Sequence, residues 1–320
     1  MNSLLSGPMP LASLLPELSP GLYLVWWTVM GLFVGSFLNV AIHRLPLEGE
    51  SVWKPVFSRC PKCRHQLRWF DNIPVISWLW LGAKCRDCKA PIAIRYPLVE
   101  LLTAGLWFLA AWKGGPERPE LVLVWVIALS GLVVATFVDF DCFEIPDEIS
   151  LGGTVLAPIA SFLVPALHAQ SGLAQMVAGG EPVGGTAALV SSLAGAALGA
   201  GILYAIGWIG GKVYGVDAMG LGDVKLMAAG GGLIGPLGVV AALMIAAVIG
   251  SVAGLGGMLR YLFLSRARAR ARGRRDPWGR SVRIARLAGR YIPFGPYLAI
   301  GIAIQLLYRE HGAFLGFFPW

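Results

Sequence analysis

The sequence predicts an all-α polytopic membrane protein of about eight transmembrane helices, with a small cytoplasmic four-cysteine loop domain between the first two. Three observations predict it. Of 320 residues, 56% are hydrophobic and only 14% are charged. Runs such as LVLVWVIALSGLVVATFV are apolar on every face and long enough for a hydrocarbon core of about 30 Å, where a soluble helix would keep a polar side. Lys and Arg gather in two blocks, ten from Arg44 to Arg95 and ten from Arg266 to Arg290, and the other connections are nearly bare of them.

Taken in order, helices are expected near 22–43, 97–113, 121–139, 149–166, 185–209, 223–234, 237–263 and 292–308. The first has no basic flank before it and is too long for a cleaved signal peptide, so it is read as a span. Pro146 limits the turn before the fourth helix, with Asp147 as its expected cap. The Gly235-Pro236 pair breaks the sixth from the seventh. Three units follow: 1–43 with the first span, 44–96 as the cytoplasmic cysteine domain, and 97–320 as the membrane domain with an Arg-rich loop at 265–290. The positive-inside rule puts both basic segments in the cytoplasm, and eight spans with the N-terminus outside satisfy it.

That topology brings Asp139, at the cytosolic end of helix three, to the depth of Asp223, at the cytosolic start of helix six. Carboxylates at membrane depth are costly and by default functional, and two at one depth suggest an acid-base pair. Close like charges split their titration, so that one is ionised to activate water and the other protonated to polarise a carbonyl. Asp223 sits in GLGDVKL, where Gly220 and Gly222 leave room for an extended substrate backbone. With 42 glycines and eight aspartates in the chain, a chance G-x-G-D is expected in roughly one such sequence in seven. The companion stretch VDFDCFEIPDEISL adds weight, because Asp141, Glu144, Asp147 and Glu148 crowd beside Asp139. We expect Asp141 and Glu144 at the substrate approach, with Glu148 adding to an acidic turn that attracts a cationic segment. Cys142 is read as a buried small residue.

In the first loop, Cys60, Cys63, Cys85 and Cys88 form two C-x-x-C knuckles separated by 21 residues. The spacing suits a tetrahedral, structural zinc, a zinc-knuckle-like arrangement; two disulfides are the alternative, disfavoured in a reducing cytoplasm. His65 is surplus to the set. Glu100, at the return to the membrane, is either part of a cofactor neighbourhood or an interfacial acid paired with an arginine. The Arg-rich loop is expected to touch anionic membrane lipids and not nucleic acid. Composition marks no oligomeric state.

GSFLNVAIHRLP, the double C-x-x-C loop with NIPVISW and RYPLVE, the D-x5-I-P-D segment and G-x-G-D-V-K-L together resemble the type IV prepilin peptidase and N-methyltransferase family, in order and over nearly the whole chain. The resemblance implies a bacterial inner-membrane enzyme in which Asp139 and Asp223 are the catalytic aspartates and the four cysteines support the cytoplasmic domain. It also implies prepilin or type II secretion pseudopilin substrates, cut after a glycine that ends a basic leader. The new N-terminal residue, usually Phe, is then methylated from S-adenosylmethionine. No glycine loop of the dinucleotide-binding kind accompanies the methylation half, and Gly230 to Gly232 read as helix packing. Two other readings are a transporter with proton-relay acids, which lacks the expected internal repeat, and a general G-x-G-D intramembrane protease, which leaves the cysteine loop unexplained.

Overall fold

The computed structural model describes residues 19–47, 49, 51–53, 58–215, 219–271 and 293–308, and these are helical with no β-strand beyond two isolated bridges. The long helices are α1 (Pro20–Arg44), α3 (Arg95–Gly114), α4 (Pro119–Cys142), α5 (Asp147–Leu163), α7 (Gly185–Tyr214), α8 (Leu221–Ala271) and α9 (Gly295–Tyr308). Shorter helices α2 (Ile76–Trp80) and α6 (Gly172–Ala178), with a 3-10 turn at Trp69–Asn72, lie in connections that the sequence leaves unassigned, while a 3-10 turn at Pro165–His168 replaces the end of the helix expected over 149–166. The Arg-rich segment beyond Ala271 and the expected start of the last helix at 292 lie outside the described residues.

By length and composition four helices can cross a membrane: α1, α4, α7 and α8. Their outer faces are apolar too, as Leu22, Val25, Trp26 and Phe33 on α1 and Val248, Val252 and Leu255 on α8 are exposed. Such surfaces suit lipid and would be a liability in water. Inside, Trp107, Leu129, Leu203, Met227, Leu298 and Ile302 share one buried core.

Small residues let the helices meet backbone to backbone. A Cβ on Gly31 or Gly35 of α1 would lie 2.8 or 2.7 Å from the Cα of Ala104 or Glu100 on α3. On α7, Gly195 and Gly199 face Gly231 and Met227 of α8 in the same manner. Both pairs have the four-residue spacing through which membrane helices pack without large side chains. Gly230 and Gly232 likewise abut Ile302 and Ala157, the packing role expected of the glycine triplet.

Two helical segments meet at a kink inside α8, where Gly235 is non-helical at φ 69°, ψ 175°. The helix doubles back there. Gly222 packs on Ile145, which also packs on Gly295, while Gly250 packs on Phe294 and Tyr297. A straight helix would separate positions 222 and 250 by about 42 Å, which those shared neighbours exclude. Pro236 has no N–H to give to the carbonyl four residues back. That carbonyl, on Gly232, instead accepts from His168 Nε2 at 3.2 Å and Ser161 Oγ at 3.4 Å. A break expected from two residues is thus stabilised by two others from outside the helix.

Candidate active site and metal centre

Asp139 and Asp223 line one cleft of about 580 Å³, together with Leu45 and Pro46 after α1, the 143–148 connection, and Gly220 and Gly222. Local sequence explains how each carboxylate gets there. Asp139 lies in the last turn of α4, which ends when Phe143 enters the left-handed region at φ 57° and donates its N–H to the Asp139 carbonyl at 3.0 Å. Asp223 lies in the first turn of α8, where a negative side chain complements the helix dipole. Asp139, at the opposite end of its own helix, is compensated from elsewhere: its Oδ2 accepts the Gly295 N–H at 3.0 Å, from the first residue of α9.

Ile145 is the apolar piece that joins these parts. It is buried, and a Cβ on Gly222 would stand 3.2 Å from its Cβ, while one on Gly295 would stand 3.0 Å from its Cδ1. Gly222 therefore answers a packing demand as well as leaving space in the cleft. Gly220 is exposed, and a Cβ there would meet Asp223 Oδ2 at an ordinary 3.6 Å.

The acidic turn divides in two. Asp141, outside the cleft lining, accepts from Arg95 Nη1 with both carboxylate oxygens, at 2.7 and 2.6 Å, while Nη2 of the same guanidinium bonds the Phe137 carbonyl at 3.1 Å. This clasp joins the start of α3 to the end of α4. Asp147 is the first residue of α5, not its cap, which is Pro146, and it binds Lys225 Nζ at 2.7 Å. Glu144 and Glu148 line the cleft and, among the described residues, have no salt-bridge partner. Cys142 is exposed, contrary to its reading as a buried small residue, because α4 ends before it can be covered.

The four cysteines come together. All four thiols lie within 4.8 Å of one another, with Cys60 Sγ 3.8 Å from Cys88 Sγ, and none is in a disulfide. The two knuckles share one backbone design. Cys60 N–H bonds the His65 carbonyl and Cys85 N–H the Ala90 carbonyl, at 3.0 and 2.8 Å. Arg64 and Lys89, each one residue past its second cysteine, take φ values of 58° and 57°. The backbone N–H of Cys63, aided by that of Lys62, draws the Cys60 thiol down to about 7 against the effect of burial, which favours thiolate at neutral pH. Asp71, between the knuckles, grips Arg86 inside the second at 2.7 Å, and His65 of the first lies 3.8 Å from Asp87 of the second.

Glu100 has a different partner from the expected arginine. It is buried, and its Oε2 accepts the Val75 N–H at 2.7 Å. Val75, at φ 61°, ψ −49°, is the centre of a tight γ-turn closed by the Ile76 N–H to the Pro74 carbonyl at 2.5 Å. This is strained backbone for a β-branched residue. Asn39 of α1 reaches the Tyr96 carbonyl at 3.1 Å, so the motifs around Gly35, Pro74 and Glu100 converge on one junction between α1, the start of α3 and the cysteine loop.

Sequence reading finds both aspartates and all four cysteines but misses Gly295 and Ile145. The available signal for Gly295 was a glycine followed by proline at the start of an apolar helix. Nothing in the sequence alone pointed to its contact with Asp139.

A helical membrane protein with two aspartates lining one cleft at its helix ends, and a four-thiol cluster in the same chain, defines a class: membrane proteins carrying a two-carboxylate cleft. Residues 29–114 match the family model for the Bacterial Peptidase A24 N-terminal domain, and residues 126–255 match the Type IV leader peptidase family. The prepilin leader peptidase/N-methyltransferase of Aeromonas hydrophila is 33% identical over 330 residues, covering 93% of this chain and 96% of that protein. The protein of the same name from Myxococcus xanthus is 38% identical over 264 residues, 82% of this chain and 71% of its own. The type 4 prepilin-like proteins leader peptide-processing enzyme of Escherichia coli O78:H11 is 36% identical over 241 residues, 70% of this chain and 82% of its own. No solved structure matches. The chain belongs to the type IV leader peptidase family.

Proposed function

We propose that this protein cleaves the basic leader of prepilins or pseudopilins at the cytoplasmic face of a bacterial inner membrane and N-methylates the new terminus. The observation that carries the proteolytic half is the shared cleft of Asp139 and Asp223, 84 positions apart in sequence, in a chain whose relatives bear the peptidase's name. The two carboxylates act as a pair. The ionised one takes a proton from water as the water oxygen bonds to the scissile carbonyl carbon, and the protonated one gives its proton to the carbonyl oxygen. Collapse of the tetrahedral adduct breaks the C–N bond and passes a proton to the leaving amine. The expected topology of eight spans puts this chemistry at the inner interface, where a basic leader is retained. Glu144 and Glu148 draw that leader toward the cleft, and Asp141 serves the Arg95 clasp instead.

The cysteine set fits zinc. Zinc–sulfur bonds of about 2.3 Å in tetrahedral geometry place sulfurs about 3.8 Å apart, and the Cys60–Cys88 separation is 3.8 Å. Bound there, zinc would lock the two knuckles together as a structural ion. The relatives' names support N-methyl transfer, for which S-adenosylmethionine is the proposed donor. The carboxylate of Glu100 is committed to Val75, which supports a bracing role for that residue.

The test is cleavage of a peptide with a basic leader ending in Gly before Phe by purified protein in detergent, read by mass. Cutting after the glycine by wild type and silence from folded Asp139→Asn and Asp223→Asn supports the pair. Equal cutting by all three would remove the aspartates from the chemistry. A further mass of one methyl on adding S-adenosylmethionine tests the second activity.

A further inference from the structure

We infer that Gly295 is the positioning residue of the aspartate pair: its backbone N–H holds Asp139, and no other side chain leaves room for that contact. The inference rests on the reading of Asp139 and Asp223 as the proteolytic pair. Three features of the start of α9 lead to it.

The first is the supply of donors. A helix begins with N–H groups that have no partner inside it. Here Pro296 has none to give, and Tyr297 and Leu298 turn theirs back to the Phe294 carbonyl at 3.1 and 3.2 Å. The Gly295 N–H is left for Asp139 Oδ2, at 3.0 Å. Asp139 thus caps a helix to which it is joined only through 156 positions of chain.

The second is space. A Cβ on residue 295 would stand 2.6 Å from Asp139 Oδ2 and 3.2 Å from its Cγ. Asp139 is almost fully buried, so a methyl group at 295 would turn the carboxylate away from the N–H. The third is electrostatic. Asp139 ends α4, where helix carbonyls oppose a negative charge, and the N-terminus of α9 offsets them. A carboxylate that accepts an N–H at the positive end of a helix is stabilised in its ionised form. That suits Asp139 to the base's part, with Oδ2 anchored and the other oxygen left for water.

The test compares wild type, Gly295→Ala, Gly295→Ala with Ile145→Val, and Asp139→Asn on the leader peptide, using full-length protein in detergent. The expected result for Gly295→Ala is a kcat lowered about 100-fold, as for loss of one preorganised donor, with KM changed by less than about three-fold. The acid limb of its rate–pH profile should move to higher pH, which a merely looser fold would not produce. Ile145→Val relieves the neighbouring apolar contact alone and should restore nothing. If Gly295→Ala unfolds, an ester in place of the Phe294–Gly295 amide deletes the N–H without adding an atom, and the same losses are expected. Wild-type rates from Gly295→Ala or from the ester, or rescue by Ile145→Val, would overturn the inference and leave the aspartate pair standing. A silent wild type would instead sink the proteolytic reading itself.

Discussion

The cysteine centre and the aspartate cleft lie in one chain and are built in opposite ways. The four thiols come from 29 consecutive residues, and each knuckle closes with its own backbone bonds, Cys60 to His65 and Cys85 to Ala90. The cleft draws Asp139 and Asp223 from the ends of two helices, Gly295 at the end of a third holds Asp139, and the arrangement depends on where those helices meet. A local site is specified by spacing and needs a ligand to be rigid. A distributed site is rigid only if the packing around it is.

The comparison breaks first at the aspartates. Asp139→Asn or Asp223→Asn should lower leader cleavage by about 1,000-fold or more while zinc measured by mass spectrometry stays at the wild-type level. If metal content fell as well, the two sites would not be independent. Cys60→Ser should do the reverse, emptying the metal site while cleavage falls less than about ten-fold. Because zinc displaces thiol protons, and the Cys60 thiol is drawn down to about 7 while Cys63 is pushed up to about 11, affinity should rise with pH across that range and fall as pH drops. A chelator titration at several pH values reads the slope.

Smaller effects sharpen the contrast. Replacing Glu144 and Glu148 by lysine should raise KM for a basic leader by roughly five-fold at low salt, and the effect should shrink as ionic strength rises. A neutral leader should be nearly indifferent, and equal effects on both would remove the attraction. Val75→Gly relieves the positive φ of the γ-turn and should stabilise the protein by about 1 kcal/mol, net of the freedom glycine gains when unfolded. Thermal unfolding in detergent checks it. His65→Ala should change stability by less than about 0.5 kcal/mol and leave metal content intact.

How much of each region was legible in the sequence follows the same division. C-x-x-C spacing carries the four-thiol cluster because its geometry is set within a few bonds of each thiol. Helices were legible from apolar runs, and the break in α8 from Gly235-Pro236, since neither depends on distant residues. Asp139 and Asp223 could be paired through charge bias and depth. What could not be read was which backbone group faces Asp139, because Gly295 meets it only after α4, α5, α8 and α9 have packed. The ion pair of Asp141 was hidden for a similar reason: its partner Arg95 lies 46 positions away. Charge counting shows that both exist and says nothing of their meeting.

One side chain touches both parts of the aspartate site. Ile145 stands against Gly222 on one side and Gly295 on the other, so the segment that carries Asp223 and the helix end that holds Asp139 rest on a single spacer. The two carboxylates thus share one support, in a residue that takes no part in the chemistry.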